Sequence, residues 1–215
     1  MIHWRLPRLW AAWALFALLF AGRVFFTGSL FYAFLFWNLF LAWLPLYFSS
    51  VLQRQTVPWK WWMALAAWLL FLPNAPYIIT DLKHLSHARG VPPWYDATLV
   101  FVAAMLGLYM GLVSLRRAEV QWAKRFGGLT KRLFVPVVLL LTGYGIYLGR
   151  FGRYNSWDVI TNPTDLVGTM ARHWVLPWQY KGVWAISLVF AAVCYVAYTL
   201  FRSPEAALKS RHHGM

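Results

Sequence analysis

The sequence is short of charge, of acid and of cysteine. Only 12% of its 215 residues are charged, against about 25% in a soluble globular domain. Just 6 residues are acidic. The lone cysteine, Cys194, lies in the last apolar run, which excludes a disulfide framework and a thiolate metal site. No Asn-X-Ser/Thr acceptor occurs, because the triplet Asn162-Pro163-Thr164 has proline at its centre. Strict polar–apolar alternation is also missing: runs such as "WAAWALFALLFAG" and "FVPVVLLLTG" exclude a membrane β-barrel.

What is present is apolar sequence, 61% of the chain. It is gathered into runs long enough to cross a hydrocarbon core, which takes about 20 helical residues. Six spans are expected, at about 9–26, 29–52, 59–73, 96–115, 132–149 and 181–201. The expected fold is an all-α polytopic transmembrane helix bundle, one integral membrane domain over 1–215, with short interfacial helices in two long outer loops, 74–95 and 150–180. The third run is short, ending at Pro73, and so either tilts little or continues partly into the break. The first has a basic start, but "LFAGRVFF" is a poor cleavage site, so it is read as a retained span.

In a soluble protein a net charge of +14 would suggest nucleic acid. Here its distribution matters more. With the N-terminus inside, 13 of the 20 basic residues fall on the cytoplasmic side. The expectation is therefore both termini in the cytoplasm, membrane lipids as partners and no nucleic acid. Four of the acids, Asp81, Asp96, Asp158 and Asp165, fall outside.

Several local features complete the frame. "TGS" at 27–29 makes a tight hairpin between the first two spans, with Arg23 snorkelling to the interface. Pro45 kinks the second span, and Asn38 hydrogen-bonds to a neighbouring helix. Most of the 15 tryptophans are assigned to an interfacial belt. The basic connection "RRAEVQWAKRFGGLTKR" is read as solvated, lipid-facing charge or an amphipathic surface helix. The His212-His213 pair near the C-terminus carries no assigned role.

The outer loops hold the candidate chemistry. In "FLPNAPYIITDLKHL", residues 71–85, the prolines end one helix and Asn74 is placed to cap the next. At α-helical spacing Ile78, Leu82 and Leu85 form an apolar face, and Tyr77, Asp81 and His84 a polar one. His87 diverges from Asp81 and is the weaker candidate. Asp81 and His84 suit an acid–base dyad, two ligands of a divalent metal, or an ordinary polar helix face. Asp158, from "GRFGRYNSWD" at 149–158, is the candidate third group for either site. Arg150 and Arg153, one turn apart, suit an anion or the dipole at a helix end. Asn74, Tyr77 and Asn155 are candidate substrate contacts, with Asn155 and Ser156 also readable as turn residues. Asn162 or Thr164 should cap a short helix containing Asp165, and Asp96 should be a first-turn acid of the fourth span.

These stretches, "FLPNAPYIITDLKHL", "PPWYDATL" and "GRFGRYNSWDV", together resemble the bacterial and archaeal membrane-protein family catalogued as domain of unknown function 1361. The resemblance runs from the second span to the sixth. It implies a multi-pass protein of this size in a bacterial or archaeal plasma (inner) membrane, and it implies no activity. Asp81, His84, Asp96, Arg150, Asn155 and Asp158 lie on its motif positions. Tyr154 departs from the tryptophan expected there.

Three functional readings stay open. The first is a polar pocket at the outer interface, binding a metal or an anionic lipid-linked substrate, with the question of catalysis undecided. The second is a non-enzymatic subunit or scaffold in which the same residues are structural. The third is a small-substrate transporter, for which Asn38, Thr142, Ser187 and Thr199 are the only candidate polar path.

Overall fold

The computed structural model describes residues 6–87 and 90–212, excepting the side chains of residues 6–8, 84, 86, 87 and 203–212. Helix α1 is Leu6–Thr27, α2 is Phe34–Arg54 and α3 is Pro58–Phe71. After a turn come α4, Asn74–Tyr77, and a 3-10 helix, Ile78–His87. Helix α5 is Pro93–Arg125, α6 is Gly128–Arg150, α7 is Asp158–Thr161, α8 is Pro163–Val175 and α9 is Lys181–His212. No strand occurs among the described residues.

Six segments are long and apolar enough to cross a membrane: Leu9–Thr27, Phe31–Arg54, Pro58–Lys83, Pro93–Arg125, Gly128–Arg150 and Lys181–Arg202. Their outer faces carry bare apolar side chains, with Leu18 71% and Phe25 84% exposed. Water would penalise such a surface and lipid does not. Two spans outrun their expected ends. The third keeps a helical path through the proline break, and the fourth runs on to Arg125, so Arg116–Arg125 belongs to α5 rather than to a separate surface helix.

Helix α5 is the hub, packed against α1, α2, α4, α6, α9 and the 3-10 segment. Helix α1 leans on α5 and meets α2 through Phe16 and Phe20 around the ring of Phe36. Trp61 and Trp68 are 1% and 0% exposed, so they belong to the core rather than to the expected belt. The indole of Trp68 donates to Ser114 Oγ at 3.2 Å.

Glycine spacing explains how a proline-broken segment is buried. A Cβ on Gly107 would lie 2.7 Å from the Ala75 carbonyl oxygen, and one on Gly111 2.8 Å from the Ala75 Cβ. On α6, a Cβ on Gly145 would lie 2.5 Å from Pro73 and one on Gly149 3.1 Å from the Tyr77 ring. Each pair is a G-x-x-x-G spacing, whose glycines lie on one helix face and admit close backbone approach. Residues 73–77 are clamped between the two faces.

The 3-10 geometry corrects the expected helix faces. At three residues per turn, positions i and i+3 eclipse. Within the 3-10 segment Ile78 and Asp81 eclipse, 0% and 2% exposed, and they continue the buried side begun by Leu72 and Ala75, 3% and 0% exposed. Leu82, expected on the apolar face, is 39% exposed. Asp81 therefore points inward.

Candidate functional site

Asp81 is the centre of a polar network joining three spans. Asn38 Nδ2, on α2, donates to Asp81 Oδ2 at 2.7 Å. Arg150 Nη1, at the end of α6, reaches Asp81 Oδ1 at 3.3 Å and the Tyr77 hydroxyl at 3.4 Å. Arg150 Nη2 donates to the Thr80 carbonyl at 2.6 Å. The guanidinium also lies 5.6 Å from the centre of the Tyr77 ring, within cation–π range. The Arg150 and Asp81 side chains are 11% and 2% exposed. A buried carboxylate this close to a guanidinium is a fixed ion pair, with the neutral amide of Asn38 satisfying the other oxygen.

The two long connections, 74–95 and 150–180, meet at Asn74, whose Nδ2 donates to Ser156 Oγ at 3.0 Å and to the Phe71 carbonyl at 3.0 Å. Asn74 makes no helix cap; Pro73 holds that position. Asp158 serves its own turn. Its Oδ2 accepts the Asn155 backbone N–H at 2.6 Å, and its Oδ1 accepts the Thr161 hydroxyl at 2.9 Å. These bonds, the Asn155 N–H foremost, hold its carboxyl below the usual carboxylate range.

Arg150 turns inward, whereas Arg153 is exposed and left-handed at φ 61°. The expected guanidinium pair is therefore split between two environments. The side chains of His84 and His87 lie outside the described residues. Among the described residues no group of three or more His, Cys, Asp or Glu is placed to hold a metal. Asp81 faces a guanidinium and Asp158 faces its own loop, so those two carboxylates do not form a joint ligand set.

Beside this network a groove of about 510 Å³ opens between α2, α3, α6 and the 154–170 region. Toward the middle of the spans its lining is apolar: Leu41, Leu69 and Leu141, with Ala66 exposed beside them. Its mouth carries Asn74, Tyr77, Tyr154, Asn155 and Ser156 beside Trp37 and Trp157. From residue 141 to 149 along α6 the lining spans about 12 Å of helix rise. No acid, base or histidine lines it among the described residues. Helix α8 flanks it with Leu166 and Met170, and is tied down by the Tyr144 hydroxyl, 3.0 Å from His173 Nδ1.

Three further ion pairs, on two acids, went unread in the sequence. Arg23 does not snorkel: it is 2% exposed, and its Nε donates to Asp96 Oδ1 at 2.7 Å. Its guanidinium also lies 4.7 Å from the Tyr32 ring centre. At the other end of the bundle Glu119 accepts from Arg116, Arg202 and the Tyr198 hydroxyl. An acid in a basic segment and an arginine one turn inside a span were the available signals.

A bundle of six membrane-length helices with a buried polar network at one end defines a multi-pass helical membrane protein. The model of the family described as Protein of unknown function (DUF1361) matches residues 37–197, and the chain belongs to that family. No curated protein and no solved structure matches it.

Proposed function

We propose that the protein binds an amphiphile of the outer leaflet, a lipid or lipid-linked molecule, in the groove between α2, α3 and α6. The observation that carries this reading is the polarity gradient along the groove, from amides and hydroxyls at the mouth to Leu41, Leu69 and Leu141 toward the middle of the spans. A hydrocarbon tail matches the apolar end, and a hydroxyl-rich head group matches Asn74, Tyr154, Asn155 and Ser156, with indoles at its sides. Among the described residues no cation lines the groove and Arg150 is already paired with Asp81, so the head group it suits is a neutral, hydroxyl-bearing one. In this reading Asp81, Asn38 and Arg150 are structural and brace the groove wall through Tyr77. The plasma membrane and cytoplasmic termini are part of the same proposal and follow from the distribution of basic residues.

Native mass spectrometry of the full chain, extracted in mild detergent, tests it. Wild type should retain an amphiphile of defined mass. Ala66→Trp, which fills the groove from an exposed position, should lose it with unchanged thermal stability. Equal retention by Ala66→Trp would overturn the reading.

A further inference from the structure

A second cleft, of about 710 Å³, lies at the opposite end of the bundle, where α6 begins beside α9 and the last turns of α5. Lys131, Arg132, Arg202, Thr199, Tyr195 and Glu119 line it. Its only acid among the described residues is already compensated. Glu119 Oε2 accepts from Arg116 Nη1 at 2.6 Å and from the Tyr198 hydroxyl, and Oε1 accepts from Arg202 Nη1 at 3.0 Å. Lys131 and Arg132 are exposed and make no ion pair among the described residues. The cleft thus carries a surplus of positive charge around a neutralised carboxylate.

The backbone adds to this. Gly128 and Leu129, at the start of α6, line the same cleft, and the Gly127 cap supplies no side-chain acceptor. The uncapped first turn of a 23-residue helix therefore borders the cleft, bringing the positive end of its dipole to it. Beyond Arg132 the α6 lining turns apolar with Val135 and Pro136, and on the neighbouring face Leu129, Leu133 and Val137 form a row at i, i+4 and i+8, 67%, 47% and 50% exposed. Cations above and a lipid-facing apolar row below match a phosphate head group with attached chains better than a free anion.

We infer that this cleft is a binding site for an anionic phospholipid. Lys131, Arg132 and the α6 N-terminus hold the phosphate, and the acyl chains run along Leu133 and Val137. The site is independent of the groove beside Asp81. Basic pockets between membrane helices are established head-group sites as a general rule.

The test uses the full chain in detergent, with thermal unfolding followed while phosphatidylglycerol, phosphatidylcholine or inorganic phosphate is added. Phosphatidylglycerol should raise the midpoint of wild type, and the other two should not. In Lys131→Gln/Arg132→Gln the apparent affinity should fall roughly 25-fold, two losses of about fivefold each. The lipid-free midpoint should stay unchanged. Arg54→Gln/Lys60→Gln, which removes charge outside the cleft, should bind like wild type. Equal loss in that control would mean diffuse surface attraction and would overturn the site. Full binding by the cleft variant, or equal protection by phosphatidylcholine, would do the same. Protection by inorganic phosphate would replace a lipid site with a free-anion site.

Discussion

Gly145 and Pro73 are in such close contact that a Cβ added to the glycine would lie 2.5 Å from the proline ring. The contact places a proline-broken segment inside a membrane bundle. It works because Gly145 and Gly149 offer α6 as a smooth face, while Gly107 and Gly111 do the same from α5. The break is therefore packed as tightly as a span.

Substitution at these glycines should destabilise in order of what the new methyl meets. Gly145→Ala should cost about 1–3 kcal/mol, as overpacking does. Gly143→Ala should cost more, because its Cβ would lie 2.1 Å from the Ser187 carbonyl oxygen, a backbone atom that cannot swing away. Gly168→Ala, with open space at its Cβ, should be neutral or stabilising by up to about 1 kcal/mol. Thermal midpoints in detergent measure all three, and an equal response across the series would contradict the packing argument.

Breaking the Asp81–Arg150 pair from either side should unfold the protein rather than silence it. Asp81→Ala leaves a nearly buried guanidinium without its counter-charge, at about 3–5 kcal/mol. Arg150→Met strands the carboxylate at a similar cost. The double variant should be less destabilised than the sum of the two, which a double-mutant cycle in an unfolding assay reads directly. Additive costs would show that the two residues act separately.

Docking of α8 should weaken in mild acid. His173 is 6% exposed, and burial, helped by the positive charge of Arg172, pushes its pKa below the ordinary imidazole value. The folded state thus binds its proton less readily than the unfolded state. The stabilisation is complete above the unfolded value of about 6.5. It is lost as pH falls from there through the lower folded value. Protection factors of the amides across 163–175, which already correct for the intrinsic pH dependence of exchange, should fall as pH drops below about 6.5. His173→Phe should remove that dependence while keeping the ring contacts with Tyr144 and Tyr180.

Asp158→Ala should act locally. The side chain bonds within its own turn at the bundle surface. Its carboxyl is held low, so its contribution is present above the unfolded value of about 3.9 and lost as pH falls through the folded one. Faster amide exchange at residues 155–161 with an unchanged global midpoint is the expected result. Collapse of the whole fold would show a tie to the Asp81 network that the hydrogen bonds do not contain.

Much of the candidate site was legible, and its wiring was not. Proline and polar residues in an apolar frame pointed to Asn74, Tyr77, Asp81 and Arg150, and Asn38 was read as an interhelical donor. Helical periodicity misassigned the faces because the segment after Tyr77 tightens to a 3-10 path, which rotates Leu82 outward and Asp81 inward. Asp158 and Arg153 looked like members of the same constellation because they are near Arg150 in sequence. A left-handed residue at 153 and a self-contained turn at 158 send them elsewhere.

By itself the sequence determined the number of spans and the absence of strands. Apolar run length against bilayer thickness, and the need to satisfy every backbone group inside lipid, leave little else possible. Partners lie beyond that reach. Arg23 finds Asp96 across 73 residues of chain, Arg150 finds Asp81 across 69, and Arg202 finds Glu119 across 83. Only packing brings these groups within hydrogen-bond reach, and for Asp81 and Arg150 it does so through glycine faces that let the broken segment approach α5 and α6. Charge in a membrane protein goes where a counter-charge awaits it, and the tertiary structure alone decides where that is.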